Sequence, residues 1–265
     1  MRPFRSALVA ACALVAAGCS DGVTDPSVQS ASVANFLPSH ASLRAKLRDI
    51  VGEQNGGLAF EMWATVLDRN GLVVDVVFSG ENRGDQWPGS RVISAQKANT
   101  GNAFSLAGFA LSSANLYAAV QPGGSLFGLQ ESNPVDPTVA YGGRAGDFGT
   151  KKDFMIGKRI GGINVFGGGL ALYTPSGRLI GGIGLSGDTA CTDHIIAWKL
   201  RHALNLDNVP AGPDADSNTD NIIYDTDGTL TGFEHPKCFD ASAANGDHVA
   251  IGDALPTSHP VGPDE

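Results

Sequence analysis

Residues 168–198 read GGLALYTPSGRLIGGIGLSGDTACTDHIIAW, and this stretch decides the fold. Two apolar segments, residues 170–173 and 179–185, flank Thr174-Pro175-Ser176-Gly177, which has the composition of a tight turn. A helical pattern follows over residues 192–206. Because a turn this short joins neighbouring antiparallel strands, the stretch predicts a hairpin that leads into a helix.

A second predicted hairpin lies upstream, around Asn70-Gly71. The Asn-Gly pair tolerates the positive φ angles of a tight turn between strands at residues 61–67 and 72–78. A further strand is predicted at residues 160–166, and helical patterns with serine caps are predicted at residues 42–51, 90–104 and 112–120. Since adjacent strands are joined by turns and not by helical crossovers, the order excludes a doubly wound parallel sheet. The sequence predicts an α+β fold, with helices packed on an antiparallel sheet.

The first residues have the pattern of an export signal. Arg2 and Arg5 precede an apolar run too short for a conventional membrane span, and the run ends in small residues. Ala16-Ala17-Gly18-Cys19 resembles a lipobox, which predicts a lipoprotein signal peptide over residues 1–18 and acylation of Cys19. Cys12 is a competing position, and cleavage by the ordinary signal peptidase is the alternative. Residues 19–41 lack periodicity and are predicted to form a flexible tether.

Charge and cysteine content narrow the class of protein further. The 265 residues carry a formal net charge of −9, and loss of the two arginines with the signal makes it −11. This acidic balance argues against nucleic-acid binding. Cys191 and Cys238 are predicted to form a disulfide in an oxidising compartment, which would stabilise the fold by about 4 kcal/mol. Two thiolates supporting a metal ion are the alternative.

Three motifs carry a resemblance to a known family. They are VLDRNGLV at residues 66–73, KANTGNAF at residues 97–104 and GRLIGGIGLSG at residues 177–187, followed by Asp193. In this order the chain resembles the GlcG/HbpS-like family of haem-binding proteins, which includes the PduO C-terminal domain, over residues 42–206. The resemblance implies a profilin-like three-layer fold with a five-stranded antiparallel sheet, assembly into homo-oligomers, and heme as a cofactor. It transfers neither a reaction nor an axial ligand.

The candidate haem ligands are histidines near the start of the last helix of this domain. His194, Trp198 and His202 recur at i, i+4 and i+8, so they form one stripe along the predicted helix. A histidine there can bind haem iron, and Trp198 can pack on a porphyrin. The alternative is that Trp198 anchors the helix and the histidines make ordinary hydrogen bonds. The predicted disulfide would bring His235 towards the helix start, which makes His194 and His235 a candidate pair.

Two further residues are candidate contacts for a bound ligand. Thr100 could direct its hydroxyl towards the ligand or bond back to its own helix. Arg83, in a polar turn after the second hairpin, could bind a propionate. The glycines of residues 181–187 lack the lysine of a phosphate-binding loop, so they predict close packing of a helix on the strand.

The segment after residue 206 is predicted to be an addition to the compact domain. Residues 207–240 form a disulfide-tied acidic extension, and residues 241–265 a disordered tail. Oxygen donors that could bind calcium concentrate at Asp214, Asp216, Asn218 and Asp220, although the EF-hand spacing is absent. A solvated acidic loop is the alternative.

Together these features predict a cell-envelope lipoprotein, anchored on a periplasmic or outer-membrane face. It would bind haem or a related small ligand for sensing, storage or uptake. Two alternatives stay open. The same pocket could carry out small-molecule chemistry such as haem degradation, redox, isomerase or hydrolase reactions, or the protein could be a structural or partner-binding oligomer.

Overall fold

The computed structural model describes residues 34–239 and 245–262. The predicted signal peptide, Cys12, the predicted lipidation site Cys19 and most of the predicted tether lie outside these residues. Within the described residues, no helix combines the length and the apolar character that crossing a bilayer would require.

The elements of the domain follow the predicted order with two exceptions: the strand at residues 160–166 is absent, and the helix predicted at residues 112–120 is two short 3-10 turns. They are α1 (His40–Val51), β1 (Trp63–Asp68), β2 (Val73–Phe78), α2 (Ser90–Ala103), β3 (Gly169–Tyr173), β4 (Leu179–Ser186) and α5 (Ala190–Ala203). Short helical turns fill the segment between α2 and β3: η1 (Ala114–Leu116), η2 (Ala118–Val120), α3 (Leu129–Ser132), α4 (Pro137–Ala140) and η3 (Ala145–Asp147). The extension adds β5 (Ile223–Tyr224), β6 (Glu234–His235) and α6 (His248–Ser258).

The main sheet has four strands in the order β2-β1-β4-β3, and every neighbouring pair is antiparallel. Both predicted hairpins are confirmed. The predicted fifth strand at residues 160–166 is wrong, because Gly161 and Gly162 adopt φ angles of 63° and 80° that interrupt an extended chain. The segment instead bonds to α2: Asn99 donates to the Gly162 carbonyl at 2.7 Å, and the Asn164 N–H donates to the Thr100 hydroxyl at 3.0 Å.

Alternate residues of β4 contact different layers, as expected for a strand buried on both faces. Ile183 and Leu185 belong to the main core with α1 and α5. Gly182 and Gly184 face α2, where an added Cβ would overlap the carbonyl oxygens of Ala98 and Ser94. The prediction that the glycines permit close packing is confirmed. The result is a three-layer arrangement, with α1 and α5 on one face of the sheet and α2 on the other.

Side-chain caps mark the starts of α1 and α5, whereas α2 follows Gly89 without a side-chain cap, so the serine cap predicted for α2 is wrong. The Ser39 hydroxyl accepts the Ser42 N–H, so α1 begins at His40, two residues earlier than predicted. The Thr189 hydroxyl accepts the Thr192 N–H at the start of α5. At the first hairpin turn, Gly71 has a φ of 78°, which permits the turn that the Asn-Gly pair predicted.

The extension is part of the folded body. Arg201 of α5 makes a bidentate ion pair with Asp220, at 2.7 and 2.8 Å, and both side chains are fully buried. The predicted disulfide between Cys191 and Cys238 is confirmed. The predicted disordered tail at residues 241–265 requires correction, because its residues 248–258 form α6, which packs against α5. Leu255 of α6 is completely buried in the main core.

Candidate functional site

A cluster of four buried ionisable side chains lies where the extension meets the domain. We call Lys97, Asp193, His194 and His235 the buried polar cluster. Lys97 comes from α2, Asp193 and His194 from α5, and His235 from β6. None of the four residues is more than 2% exposed. Buried ionisable groups are expensive without partners, so their hydrogen bonds indicate what each group can do.

Lys97 and Asp193 form a buried ion pair. The Lys97 ammonium donates to Oδ2 of Asp193 at 2.6 Å, and Oδ1 accepts the N–H groups of Gly187 at 3.1 Å and Asp188 at 2.9 Å. Burial raises the pKa of Asp193 to about 6, and the nearby ammonium opposes this increase. The pair therefore links α2 to the turn between β4 and α5.

The ring of His235 is held in one orientation by the backbone carbonyl of the next residue. Its Nδ1 lies 2.7 Å from the Pro236 carbonyl, which can only accept, so Nδ1 carries the proton of the neutral ring. Burial lowers the pKa of His235 to about 4, so the ring is neutral at pH 7. Its Nε2 is buried without a hydrogen-bond partner. This tautomer leaves a lone pair on Nε2, which is the form of histidine that binds metal ions.

In His194 the two ring nitrogens have the opposite roles. Its Nε2 accepts the Ile222 N–H at 3.1 Å, so in the neutral ring the proton lies on Nδ1, which has no partner. Burial lowers the pKa of His194 to about 3, and the charges of Arg201 and His235 add to the effect. His194 therefore holds the extension in place through a neutral ring. It could bind iron through Nε2 only after the Ile222 bond breaks.

The other residues predicted to bind a cofactor have structural contacts. Trp198 is 1% exposed in the main core, and its indole N–H donates to the His259 carbonyl at 2.9 Å. The Thr100 hydroxyl donates to the Gln96 carbonyl at 2.8 Å, which is the back-bonded alternative. Arg83 is exposed after β2, at the edge of the sheet opposite β3. His235 lies close enough to His194 to contribute to its lowered pKa, whereas Arg83 lies at the far edge of the sheet.

The predicted calcium ligands do not converge. Asp220 forms an ion pair with Arg201, and Asp214 accepts hydrogen bonds from Asp216 and Ser217 of its own loop. Across the described part of the chain, one group of three potential metal ligands has its donor atoms within 4.8 Å of one another, and it consists of Cys191, His235 and Cys238. The calcium prediction is therefore unsupported.

The donor set fits haem iron, although the porphyrin needs additional space. Both rings are neutral at neutral pH, and Nε2 of His235 offers a lone pair. The ring of His235 lies 4.9 Å from that of Tyr117, and Tyr117 lies 6.2 Å from Phe166, which is 46% exposed. This aromatic row leads from His235 towards the surface. Access for a planar ligand requires the extension to move away from α5.

Among the described residues, two open clefts border the extension, and neither is lined by the histidine pair. One, of about 1010 Å³, is lined by acidic side chains that include Asp214, Asp225 and Asp253. The negative charge there disfavours the propionates of haem. The other, of about 610 Å³, lies between residues 118–125 and 229–232, and it begins next to Tyr117.

The buried ion pairs were missed at the level of sequence. A weak signal existed for Lys97, because it shares its helix with Ser94, Ala98 and Gly101, small residues that predict a buried face. A lysine on such a face needs an acidic partner. The sequence did not indicate which carboxylate that would be, because Lys97 and Asp193 are 96 positions apart.

Comparisons with known proteins identify the family of this chain. The family model described as "Haem degrading protein HbpS-like" matches residues 45–200. The Klebsiella pneumoniae protein ORFY is 21% identical, with a TM-score of 0.41 over 65% of this chain and 88% of its own. PduOC, solved as a haem complex, is 22% identical, with a TM-score of 0.43 over 64% of this chain and 96% of its own. No functionally curated protein has a significantly similar sequence.

Proposed function

Because the chain belongs to the HbpS-like family of haem-degrading proteins, we propose that it binds haem and that His235 supplies a ligand to the iron. The observation that carries this proposal is the buried Nε2 of His235, which has a lone pair and no hydrogen-bond partner. His194 is the candidate for a second ligand. When bound, haem would supply an iron centre whose reactivity depends on its ligands and their surroundings.

The residues around the histidine pair would orient the ligand and exclude water. The Pro236 carbonyl fixes the ring of His235, as second-shell acceptors do for metal-bound histidines. The disulfide keeps β6 beside α5, so His235 stays near the domain. Tyr117 and Phe166 would offer aromatic contacts to a porphyrin. The part that has to move is the segment around Ile222, which covers His194.

Haem titration of the non-reduced, full-length protein tests this proposal. We expect a Soret band that saturates at one haem per chain, and His235→Ala should weaken binding by about 10- to 100-fold. His202→Ala is the matched control, because His202 also lies in this part of the fold but bonds to Asp207 at 2.8 Å. Absence of a Soret band from the folded protein, or equal binding by His235→Ala, would refute the proposal.

Haem degradation is the second candidate function, because the matching family is described by that activity. A carrier returns haem unchanged, whereas an enzyme supplied with a reductant or peroxide consumes it over many turnovers. The raised pKa of Asp193, about 6, provides a group that can exchange a proton near neutral pH. Loss of the Soret band with repeated turnover, abolished in Asp193→Asn, would favour the enzyme. Recovery of intact haem would favour the carrier.

We also propose that the protein is an exported lipoprotein of the cell envelope, where it serves haem sensing, storage or uptake. The basic start, the apolar run and the lipobox-like residues before Cys19 support this location. The disulfide suits an oxidising compartment. Incorporation of a labelled fatty acid that is lost in Cys19→Ser would support the anchor, and unchanged labelling would contradict it. Assembly into a homo-oligomer is proposed from family resemblance and is testable by light scattering.

A further inference from the structure

The disulfide of this protein has a histidine beside it. Cys191 lies in the first turn of α5, and Cys238 follows β6. A ring nitrogen of His235 and the two sulfur atoms lie within 4.8 Å of one another. Cys191 and His235 are almost fully buried, and Cys238 is partly buried. Two sulfurs and an imidazole are the donor types that Zn²⁺ prefers, but sulfurs joined in a disulfide cannot act as thiolate ligands.

We propose that reduction of the Cys191–Cys238 disulfide creates a binding site for a thiolate-seeking divalent cation such as Zn²⁺, with Cys191, Cys238 and His235 as ligands. The reductant is a dithiol, which supplies two electrons and two protons and is itself oxidised to a disulfide. The S–S bond breaks, and each cysteine becomes a thiol. The cation then displaces both thiol protons, and two metal–sulfur bonds and one metal–nitrogen bond form.

The geometry requires small movements. Zinc binds thiolate sulfur at about 2.3 Å and imidazole nitrogen at about 2.0 Å, which places neighbouring ligand atoms of a tetrahedron about 3.5 Å apart. Separations of up to 4.8 Å between the His235 nitrogen and the sulfurs would therefore close by about 1 Å, and the two sulfurs, now at bonding distance, would move apart to this spacing. Binding through Nε2 of His235 would cost no hydrogen bond, and binding through Nδ1 would cost the bond to Pro236.

The charges also suit this site. Two thiolates and a divalent cation sum to zero, so the loaded site adds no net charge to the buried region around Cys191. The His235 ring is already neutral, because burial lowers its pKa. Lys97, whose charge contributes to that lowered pKa, is neutralised by Asp193 and does not need to move. Three protein ligands leave the fourth position for water or another ligand.

The accessible half of the disulfide determines how reduction begins. Cys191 has no exposed surface, whereas Cys238 is partly exposed. We expect an incoming thiolate to attack the Cys238 sulfur and Cys191 to leave first. The metal would then replace the disulfide as the connection between the extension and α5. The site shares His235 with the proposed haem site, but it exists only in the reduced protein and requires no porphyrin.

Cobalt binding tests the proposal on the full-length chain. Cys12 and Cys19 are replaced by serine, so that Cys191 and Cys238 supply the remaining thiols. After reduction with a phosphine, we expect Co²⁺ to give a thiolate charge-transfer band and the visible bands of a tetrahedral site at one ion per chain. Zn²⁺ should displace the cobalt. The same chain without reduction should give neither band.

Matched variants identify the nitrogen ligand. His235→Ala should weaken Co²⁺ binding by more than about tenfold, whereas His202→Ala should leave it unchanged. His235→Cys keeps three donors, so it should retain binding and intensify the charge-transfer band even if the alanine variant folds poorly. The proposal is overturned if the reduced chain shows two titratable thiols without cobalt bands, or if His235→Ala and His235→Cys both give the parent spectrum and affinity. Because the haem titration uses the non-reduced protein, failure of either proposal leaves the other testable.

Discussion

Acidification from pH 7 to pH 5 should destabilise the protein through its two buried histidines. Folding lowers the pKa of His194 from 6.5 to about 3 and that of His235 from 6.5 to about 4. At pH 5 the unfolded chain binds a proton on each ring, while the folded chain binds neither. Since pH 5 lies about 1.5 units below the unfolded pKa, each histidine should lower the free energy of unfolding by about 2 kcal/mol.

Asp193 has the opposite effect, because acidification raises its contribution to the free energy of unfolding. Its pKa rises from 3.8 to about 6 on folding, so between pH 6 and pH 5 the folded chain binds a proton that the unfolded chain does not. This uptake should return about 1 kcal/mol of the free energy of unfolding at pH 5. The sum is a net loss of about 3 kcal/mol between pH 7 and pH 5, an interval that lies above the pKa of about 4 at which the His235 ring titrates in the folded state.

Urea unfolding at pH 7 and pH 5 measures the difference directly. The wild type should lose about 3 kcal/mol, and the double variant His194→Gln/His235→Gln should lose none, because Asp193 alone favours the folded state on acidification. Glutamine keeps an acceptor for the Ile222 N–H but does not titrate. Equal stability of the wild type at both pH values, or the full loss in the double variant, would refute the assignment of two neutral buried rings.

Three variants test other parts of the fold by denaturant unfolding at neutral pH. Lys97→Met should lower the free energy of unfolding by about 3–5 kcal/mol, because it leaves the buried carboxylate of Asp193 without its cation. Replacing Cys191 and Cys238 by serine should cost about 4 kcal/mol, because the bridge closes a loop with a sequence separation of 47. Gly184→Ala should cost about 1–3 kcal/mol, because the new methyl group would overlap a carbonyl oxygen of α2.

Matched controls separate these causes from a general loss of stability. Lys97→Met/Asp193→Asn should recover part of the loss of the single variant, since no unpaired charge stays buried. Gly84→Ala should be close to neutral, because nothing lies within 4 Å of its added Cβ. If the double variant were no more stable than Lys97→Met, the ion-pair explanation would fail. If Gly84→Ala cost as much as Gly184→Ala, close packing of α2 on β4 would not be the reason.

Local chemistry made most of the domain predictable. The Asn70-Gly71 pair and the turn at Pro175 specify hairpins through backbone angles that few other residues adopt. The same logic failed at Gly161 and Gly162, where an apolar segment resembled a strand. Its backbone groups bond instead to side chains of α2, and such partners depend on tertiary structure.

The extension was harder to predict because its local signals conflict. The disordered tail was predicted because the segment lies near the end of the sequence, and α6 also contains Gly252 and Pro256, both of which disfavour helix. Two signals were present nonetheless: the Asp247 carboxylate caps the helix by accepting the Val249 N–H, and Leu255 lies on its buried side. For the candidate site, the disulfide and the proximity of the two histidines were predictable. The protonated nitrogen of each ring was not, since it depends on contacts with Pro236 and Ile222.

The ion pair between Arg201 and Asp220 has a consequence for synthesis on the ribosome. The segment that matches the family ends at residue 200, yet its core needs contacts from residues up to 259. At about 5–20 residues per second, the ribosome needs several seconds to add them. During this delay Arg201 lacks its carboxylate partner and the Trp198 indole lacks its acceptor, so the core beside α5 stays incomplete. The order of translation therefore makes the extension the last part of the fold to form, and chaperones can bind the incomplete core during the delay.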